Sequence, residues 1–284
     1  MPIIIVSNQD LASLTIKQQL LEIGNFIETS DKFEGNIIYE HKETKVLMVT
    51  INSRLIDANY LDEYFDTDLF IFASKHKSES EKPSLLVHAP GNWTEDNSYG
   101  GNVCELALTS ARMIKQILKE LNQQVNQQRQ ISQLEYDVTS EVTHHGPTNL
   151  KIPCVFIELG SNETYWKDPI GAQIVAKTIL KVLSENFPES NLKYAIGFGG
   201  PHYASNFNKV QLNTNYAISH IAAKYVLDKI TENLIIEAIN KTIEKVSYAL
   251  LDWKGMVKAQ REKIIGILDK LDIEYHRIQK ILAK

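Results

Sequence analysis

Short apolar runs alternate with amphipathic segments along the whole chain. Continuous runs rich in β-branched residues, such as Ile3–Ser7, are typical of buried strands. Apolar residues spaced three and four apart, as in Leu11–Ile23, indicate helices. The pattern predicts strands over residues 3–7, 35–39, 45–51, 68–73, 84–89, 134–142, 153–159, 192–198 and 246–250. It predicts helices over 11–23, 102–126, 170–186, 234–243 and 253–284, the last interrupted near Asp272.

This alternation of strands and helices, without a long linker, predicts an α/β protein with a mixed sheet flanked by helices. We expect residues 1–284 to form a single domain, with room for a small lobe within 205–284. Residues 74–83 are polar and end in a proline, which predicts an exposed loop. Residues 213–227 mix strand and helix signals, so their structure stays open.

Charge and cysteine content limit the kinds of ligand and the cellular location that we expect for the protein. The net charge of −5 argues against a broad nucleic-acid-binding surface. Residues 1–70 hold 12 acidic and 5 basic residues, whereas residues 251–284 hold 5 acidic and 8 basic ones, which permits a local phosphate contact. Cys104 and Cys154 lie in apolar segments without metal-binding spacing and predict buried free thiols. Without a signal peptide or a membrane-spanning run, a cytoplasmic location is expected.

The most informative motif is Glu-Val-Thr-His-His-Gly-Pro-Thr at 141–148, which follows a predicted strand. Histidine suits both metal binding and proton transfer near neutral pH. Adjacent strand residues point to opposite faces, so His144 and His145 can act together only where the backbone turns, and Gly146 is expected to supply that turn. An isolated His-His pair is more often one core histidine and one surface histidine.

Further histidine turns favour a functional site. His88 precedes a Pro-Gly turn, and His202 follows the glycine-rich stretch 197–200. Glu158 lies in an apolar strand, so it must be paired, metal-bound or protonated, unless it reaches solvent at the strand end. Because the carboxyl ends of parallel strands meet at one edge of a sheet, we expect these groups to gather there.

Several imidazoles and a carboxylate suit a zinc-like ion, and a metal-activated water could attack a carbonyl carbon. The remaining histidine or Glu158 would act as the base, and the amides of Gly199 and Gly200 would hold the oxyanion. The sequence has no HExxH or GxSxG motif, no Walker A loop and no dinucleotide fingerprint. The residues alone therefore indicate a hydrolase, with metal assistance as one option.

Five motifs in order make the chain similar to a known family. They are Ser-Lys-His-Lys-Ser (74–78), Pro-Ser-Leu-Leu-Val-His-Ala-Pro-Gly-Asn (83–92), the 141–148 motif, Phe-Ile-Glu-Leu-Gly-Ser (156–161) with Trp166, and Gly-Phe-Gly-Gly-Pro-His-Tyr (197–203). Together they resemble the D-aminoacyl-tRNA deacylases of archaea and plants. The resemblance implies hydrolysis of the ester between a D-amino acid and the terminal ribose of tRNA. It also implies zinc as cofactor and a fold like those of phosphorylases and peptidyl-tRNA hydrolases.

The resemblance also suggests site residues. The expected catalytic residues are His144, His145, Glu158 and His202. The expected substrate-binding residues are Ser74, Lys75, His76, Asn92, Gly199 and Gly200, and the expected metal ligands are His88, His145 and His202. Pro201 departs from the small residue expected before the last histidine, which leaves the path of that loop open.

The implied partner is the acceptor end of D-aminoacyl-tRNA. No DNA or membrane contact is expected, and a monomer is favoured while the oligomeric state stays open. Because the N-terminal segment is acidic, tRNA would approach near Lys75, Lys77 or the basic C-terminal helix. One alternative is a metal-dependent amidohydrolase or phosphorylase-like enzyme acting on a small molecule. Another is an RNA-binding module whose histidine turns are only structural.

Overall fold

The structure is a computed structural model that describes residues 1–131, 135–185 and 191–283. Its strands are β1 (Ile3–Ser7), β2 (Phe26–Phe33), β3 (Asn36–His41), β4 (Leu47–Ile51), β5 (Phe70–Lys77), β6 (Ser84–His88), β7 (Asp137–Ser140), β8 (Cys154–Ser161), β9 (Lys193–Phe198), β10 (Tyr216–Ala222), β11 (Tyr248–Leu251) and β12 (Glu274–Arg277). Its α-helices are α1 (Leu11–Ile23), α2 (Ala111–Arg129), α3 (Glu163–Trp166), α4 (Pro169–Ser184), α5 (Ser205–Asn213), α6 (Glu232–Asn240), α7 (Lys258–Lys270) and α8 (Ile278–Leu282).

The strands form two sheets. The larger has the order β2-β3-β4-β1-β5-β8-β6-β7, and the smaller has the order β10-β9-β11-β12. In the larger sheet β4, β1, β5 and β8 are parallel, whereas β6 runs antiparallel to β8 and β3 runs antiparallel to both of its neighbours. The smaller sheet is entirely parallel. The α/β class with a mixed sheet and flanking helices is confirmed.

The two faces of the larger sheet differ in what covers them. One face packs against α1, α2 and α4, and its strands contribute Ile71, Ala73, Val155, Ile157 and Leu159 to that core. The other face begins with a second apolar cluster around Phe70, Phe72, Cys154 and Phe156. Because side chains alternate along a strand, the residues that follow on this second face are polar, and they form the functional site described below.

Some boundaries differ from the predicted ones for local reasons. Ser110, not Asn102, caps α2, so that helix begins at Ala111. Residues 74–77 prolong β5 instead of forming an exposed loop, because they pair with β8 as far as Ser161. The strand β2 was not predicted, and the C-terminal segment contains the strand β12 as well as helices.

Other predictions fall outside the described residues or need correction. Predicted boundaries at 134, 186 and 284 lie outside the described residues. The prediction that both cysteines are buried is wrong for Cys104, which is exposed, whereas Cys154 is buried. Every helix that the structure describes is too short or too polar to cross a bilayer. The single-domain assignment stays a prediction.

A buried lysine connects the two sheets. The ammonium of Lys115, on α2, donates hydrogen bonds to the carbonyl oxygens of Gln211, Thr214 and Tyr216 at 2.5, 2.7 and 2.8 Å. These carbonyls lie at the end of α5 and the start of β10, so the lysine fastens the smaller sheet to a helix of the larger one. Burial lowers the pKa of Lys115 to about 8, which leaves the group mostly protonated at neutral pH.

We expect Lys115→Met to lower the free energy of unfolding by about 3 kcal/mol, because it leaves buried carbonyls without donors. Urea unfolding followed by circular dichroism measures the change. Lys119→Met is the matched control, since Lys119 lies on the same helix but is exposed. Equal midpoints for the two variants would contradict a linking role for Lys115.

Candidate active site

Three central strands place charged side chains side by side on the second face of the larger sheet. Glu158 of β8 is in register with Ser74 of β5 and with Leu86 of β6. His76 and His88 lie two residues further along their strands on the same face. The prediction that these groups meet at an edge of parallel strand ends needs correction. Because β6 is antiparallel to β8, they meet on a face of the sheet.

The His-His motif turns at a residue that the sequence did not indicate. His145 itself has a left-handed backbone, with φ of 50°, and its neighbour Gly146 has no positive φ. The turn brings both imidazoles to one side, with ring centroids 4.5 Å apart. Gly146 is needed for space instead, because a Cβ there would overlap backbone atoms of Gly101 and Ile56.

Backbone hydrogen bonds hold this segment between the two sheets. The amide of Gly91 donates to the carbonyl of His145 at 2.7 Å. The amide of Val142 donates to the carbonyl of His202 at 3.0 Å, and that of Thr143 donates to the carbonyl of Ile221 at 2.9 Å. The motif therefore joins β6 on one side to the β9 and β10 ends on the other.

Three imidazoles share one orientation. The Nδ1 atoms of His88, His144 and His145 lie 3.1, 2.9 and 2.7 Å from the backbone carbonyl oxygens of Ala89, Val142 and Gly146. A carbonyl only accepts, so each Nδ1 must carry the hydrogen, and in the neutral ring Nε2 keeps its lone pair. Possible ligand atoms of the three residues lie within 4.8 Å of one another. This triple differs from the predicted one, because His144 takes the place of His202.

Two buried carboxylates complete the cluster. His76 lies between them, with its Nδ1 3.4 Å from Glu141 Oε2 and 3.4 Å from Glu158 Oε2. Glu158 Oε1 lies 3.7 Å from Nε2 of His88 and 3.9 Å from Nε2 of His145. Glu141 Oε1 lies 2.7 Å from Nε2 of His202. Glu158 is therefore the paired, buried carboxylate that the sequence offered as one alternative.

The charges in the cluster determine its protonation. Burial opposes ionisation of Glu141 and Glu158, but the surrounding histidines hold the pKa of both below the usual value. Burial likewise disfavours the imidazolium of His76, but the two carboxylates raise its pKa to about 11. Burial, followed by the charges of His88 and His145, lowers the pKa of His144 well below its usual value. His76 is thus a cation between two anions, whereas His144 is neutral.

A pocket of about 230 Å³ opens onto the cluster, and His144, His145 and His202 line it. Trp93, Tyr99 and Tyr225 contribute aromatic walls. His202 lies at the rim with its side chain 35% exposed, and its Nδ1 is 3.2 Å from the Tyr225 hydroxyl. The pocket therefore reaches both the buried histidines and a solvent-accessible one.

Only some of the predicted substrate-binding residues lie in the cluster or line the pocket. His76 lies inside the cluster, but the Ser74 hydroxyl lies 3.4 Å from Asp10, the cap of α1. Lys75 is exposed, and its ammonium lies 5.5 Å from the ring centre of Trp166. Asn92 lines the pocket, but its amide nitrogen already donates to the carbonyls of Gly100 and Asn102.

The predicted oxyanion contacts are not supported by the hydrogen bonding. The amide of Gly199 donates to the carbonyl of Ala222 at 2.8 Å, and that of Gly200 donates to the carbonyl of Gly255 at 3.2 Å. An N–H engaged in this way is not available to a developing oxyanion. Both glycines adopt positive φ values of 101° and 81°, so they serve to shape the loop that carries His202.

Sequence reasoning missed Glu141, Tyr203 and Tyr225. Glu141 has a sequence signal, since it is a carboxylate at the end of a mostly apolar run immediately before the His-His pair. Tyr203 bridges His76 and Ser78, with its hydroxyl 3.3 Å from Nε2 of His76 and donating to Ser78 Oγ at 2.6 Å. The two tyrosines have no comparable signal, because their contacts come from distant parts of the chain.

The cluster fits a divalent metal ion. Nε2 of His88 is buried and makes no hydrogen bond with other described residues, since the nearest carboxylate oxygen, on Glu158, is 3.7 Å away. Leaving such an atom without a partner is costly, and a cation would satisfy it. The donor set of imidazole nitrogens and carboxylate oxygens suits zinc among the common metals.

We expect Gly146→Ala to destabilise the fold and to abolish the alignment of the two histidines, because the added methyl group meets backbone on the neighbouring loop. The expected loss is about 2 kcal/mol in urea unfolding, typical of overpacking. Gly266→Ala on α7 is the matched control, because a Cβ there meets nothing within 4 Å and alanine favours a helix. A Gly146→Ala variant as stable as the control would disprove the steric role.

The chain is similar to known proteins along nearly its whole length. The D-aminoacyl-tRNA deacylase of Pyrococcus abyssi is 35% identical over 281 residues, covering 97% of this chain and 99% of its own. That of Methanosarcina barkeri is 38% identical, covering 99% of this chain and 90% of its own. A crystal structure of a conserved protein of unknown function shares the fold, with a TM-score of 0.89, 28% identity and coverage of 100% of this chain and 97% of that one.

The predicted likeness of the fold to those of phosphorylases and peptidyl-tRNA hydrolases stays a prediction.

A family model described as D-aminoacyl-tRNA deacylase matches residues 63–276, which include every member of the histidine and glutamate cluster. The chain therefore belongs to the D-aminoacyl-tRNA deacylase family.

Proposed function

We propose that this protein hydrolyses the ester bond of D-aminoacyl-tRNA and releases free D-amino acid and tRNA. The observation that carries the proposal is the convergence of His88, His144 and His145 beside two buried carboxylates, at the base of a pocket, in a chain of this family. Such a cluster can bind and activate groups for attack on an ester carbonyl. The proposed partner is the acceptor end of the tRNA.

Zinc is the proposed cofactor, and His88, His144 and His145 would hold it. Zinc bound there would supply Lewis acidity and lower the pKa of a water molecule. The chain prepares the ligands itself, because the carbonyl oxygens of Ala89, Val142 and Gly146 fix each Nδ1 hydrogen and turn Nε2 inward. Glu158, 3.7 Å from His88 Nε2, balances the positive charge of the site.

His202 is the proposed base. It lies at the rim of the pocket, and Glu141 lies 2.7 Å from its Nε2. When the Tyr225 hydroxyl, 3.2 Å from Nδ1, turns its hydrogen away, Nδ1 takes up a proton and Glu141 stabilises the imidazolium that forms. A water oxygen then bonds to the ester carbon as a proton passes to His202. The bond from that carbon to the ribose oxygen breaks, and the same proton passes to the departing ribose oxygen.

Glu158 and His76 have a proposed supporting role. His76 is held between Glu141 and Glu158, and a cation there keeps both carboxylates ionised in a buried place. Both sheets contribute to the site, which supports the proposal that the chain acts as one domain. Monomeric action in the cytoplasm is also part of the proposal.

Incubating the protein with D-Tyr-tRNA and L-Tyr-tRNA, with and without a chelator, tests the function and the metal together. We expect rapid loss of the D-ester only, its abolition by the chelator and its recovery on addition of zinc. Loss of the D-ester that resists chelation would contradict the zinc proposal. Hydrolysis of neither ester would contradict the function and favour a small-molecule substrate.

Alanine at His144 or His145 is expected to reduce kcat/KM for D-Tyr-tRNA by at least about 100-fold, a loss typical of ligand or supporting-residue mutations at metal sites. Zinc content of the purified variants should fall in parallel. His276→Ala is the control, because His276 lies on β12, where it stacks on Tyr248 away from the cluster. Full activity in both site variants would rule out the assigned ligands.

A further inference from the structure

A second opening adjoins the active-site pocket and shares a residue with it. It has a volume of about 510 Å³ and is lined by Gly200, Pro201, Lys224, Tyr225, Asp228, Gly255 and Gln260. Tyr225 also lines the active-site pocket, so the two openings meet at its ring. We call this second opening, with its seven lining residues, the Tyr225 groove.

The floor of the Tyr225 groove is fixed by backbone hydrogen bonds. The amide of Lys224 donates to the carbonyl of Gly200 at 2.9 Å, and the amide of Gly200 donates to the carbonyl of Gly255 at 3.2 Å. The side-chain amide of Gln260 donates to the carbonyl of Lys224 at 3.2 Å. Segments from β9, β10 and β11 are thereby held together, so the groove is a feature of the smaller sheet and its loops.

One cationic side chain, Lys224, lines the Tyr225 groove, and three more belong to segments next to its lining residues. None of the four has an acidic partner in the described part of the chain. Lys224 lies on its wall, and Lys254 is the exposed neighbour of Gly255. Arg277 and Arg261 lie with their guanidinium carbons 3.4 and 4.7 Å from the ring centre of Trp253, two residues before Gly255. Among the residues that the structure describes, none of these four cations forms an ion pair, whereas the chain as a whole is acidic.

The side chain of Tyr225 is large and 62% exposed. Its hydroxyl nevertheless lies 3.2 Å from Nδ1 of His202, which orients the ring at the boundary between the two openings. An exposed aromatic ring that is held in place, beside free cations, is the combination that binds single-stranded nucleic acid through base stacking and phosphate contacts. Two carboxylates oppose these cations. Asp228 lines the groove and accepts a hydrogen bond from Gln260 at 3.0 Å. Asp252 lies against Gly200 and Gly255 and accepts hydrogen bonds from Asn206 and Gln279.

We propose that the Tyr225 groove binds the single-stranded 3′ end of tRNA. The inference rests on the proposed function, which puts the terminal ribose ester in the active-site pocket. The nucleotides before it leave across Tyr225, one base stacks on that ring, and their phosphates face Lys224 and Lys254. The double-stranded stem then lies beyond the groove, on the side of Trp253 and its two arginines, away from the acidic N-terminal segment.

Binding of uncharged tRNA tests this proposal without any turnover. We expect Lys224→Ala with Lys254→Ala to weaken binding about tenfold and to lower the slope of log K against log salt by about 1.4, or 0.7 for each single-strand phosphate contact. Removal of the terminal CCA from the tRNA should weaken binding to the unaltered protein and abolish the difference between protein and variant. Lys32→Ala with Lys42→Ala is the control, with equal charge change on exposed residues of the larger sheet's antiparallel edge.

Two substitutions of Tyr225 test separately whether its ring stacks on a base and whether its hydroxyl positions His202. Tyr225→Ala is expected to weaken binding of uncharged tRNA by about fivefold or more, whereas Tyr225→Phe keeps the ring and its affinity. Tyr225→Phe should still lower kcat for D-Tyr-tRNA hydrolysis, because it removes the hydroxyl that contacts Nδ1 of His202.

Binding by the double lysine variant equal to that of the control would overturn the proposal. So would equal weakening with full-length and CCA-lacking tRNA, which would place the lysines on the double-stranded stem. These outcomes differ from failure of the proposed function, which is absence of D-ester hydrolysis by the unaltered protein.

Discussion

Two ionised carboxylates in the interior are the constraint on which this structure depends. Glu141 and Glu158 are both almost fully buried, and an unpaired charge in such a place costs several kcal/mol. His76 offsets that cost for both, since it lies 3.4 Å from each. The pairing requires β5 to continue past the apolar part of the sheet and requires the segment after β7 to approach β8. The extension of β5 through residues 74–77 is thus part of the active site.

The same requirement links catalysis to the contact between the two sheets. Glu141, Val142 and Thr143 are consecutive, and their amides bond in turn to Val87 of β6, to the loop carrying His202 and to β10. Each of the two sheets therefore contributes to the position of the cluster. A shift of the smaller sheet would move His202 relative to Glu141, so the stability of the sheet contact and the geometry of the His202–Glu141 contact depend on each other.

The local sequence pattern predicted most strands and the histidines of the site, but it could not predict features that depend on long-range contacts. Apolar runs located most central strands, and the histidine turns at their ends identified His88, His144, His145 and His202. The direction of β6 depends on its long-range pairing with β8, so the sequence predicted a sheet edge where a sheet face carries the site. The left-handed backbone at His145 carries no local sequence signal, and the close approach of Gly101 and Ile56 to Gly146 depends on segments distant in the chain. The sequence likewise could not show that the amides of Gly199 and Gly200 donate hydrogen bonds to other backbone carbonyls, because those partners lie elsewhere in the chain.

The histidines of the site differ in their exposure to solvent, and this difference suits them to different roles. His88 is fully buried, with its Nε2 lacking a protein partner, so it suits a permanent ligand that never meets solvent. His202 is at the rim and touches one buried carboxylate and one exposed tyrosine, so it can exchange protons with the pocket. A substrate too large to be enclosed must present its ester at such a rim and leave its remaining mass outside. Buried histidines, a partly exposed His202 and an open groove lined by Lys224 therefore fit the proposed macromolecular ester better than a small molecule that the pocket could close over.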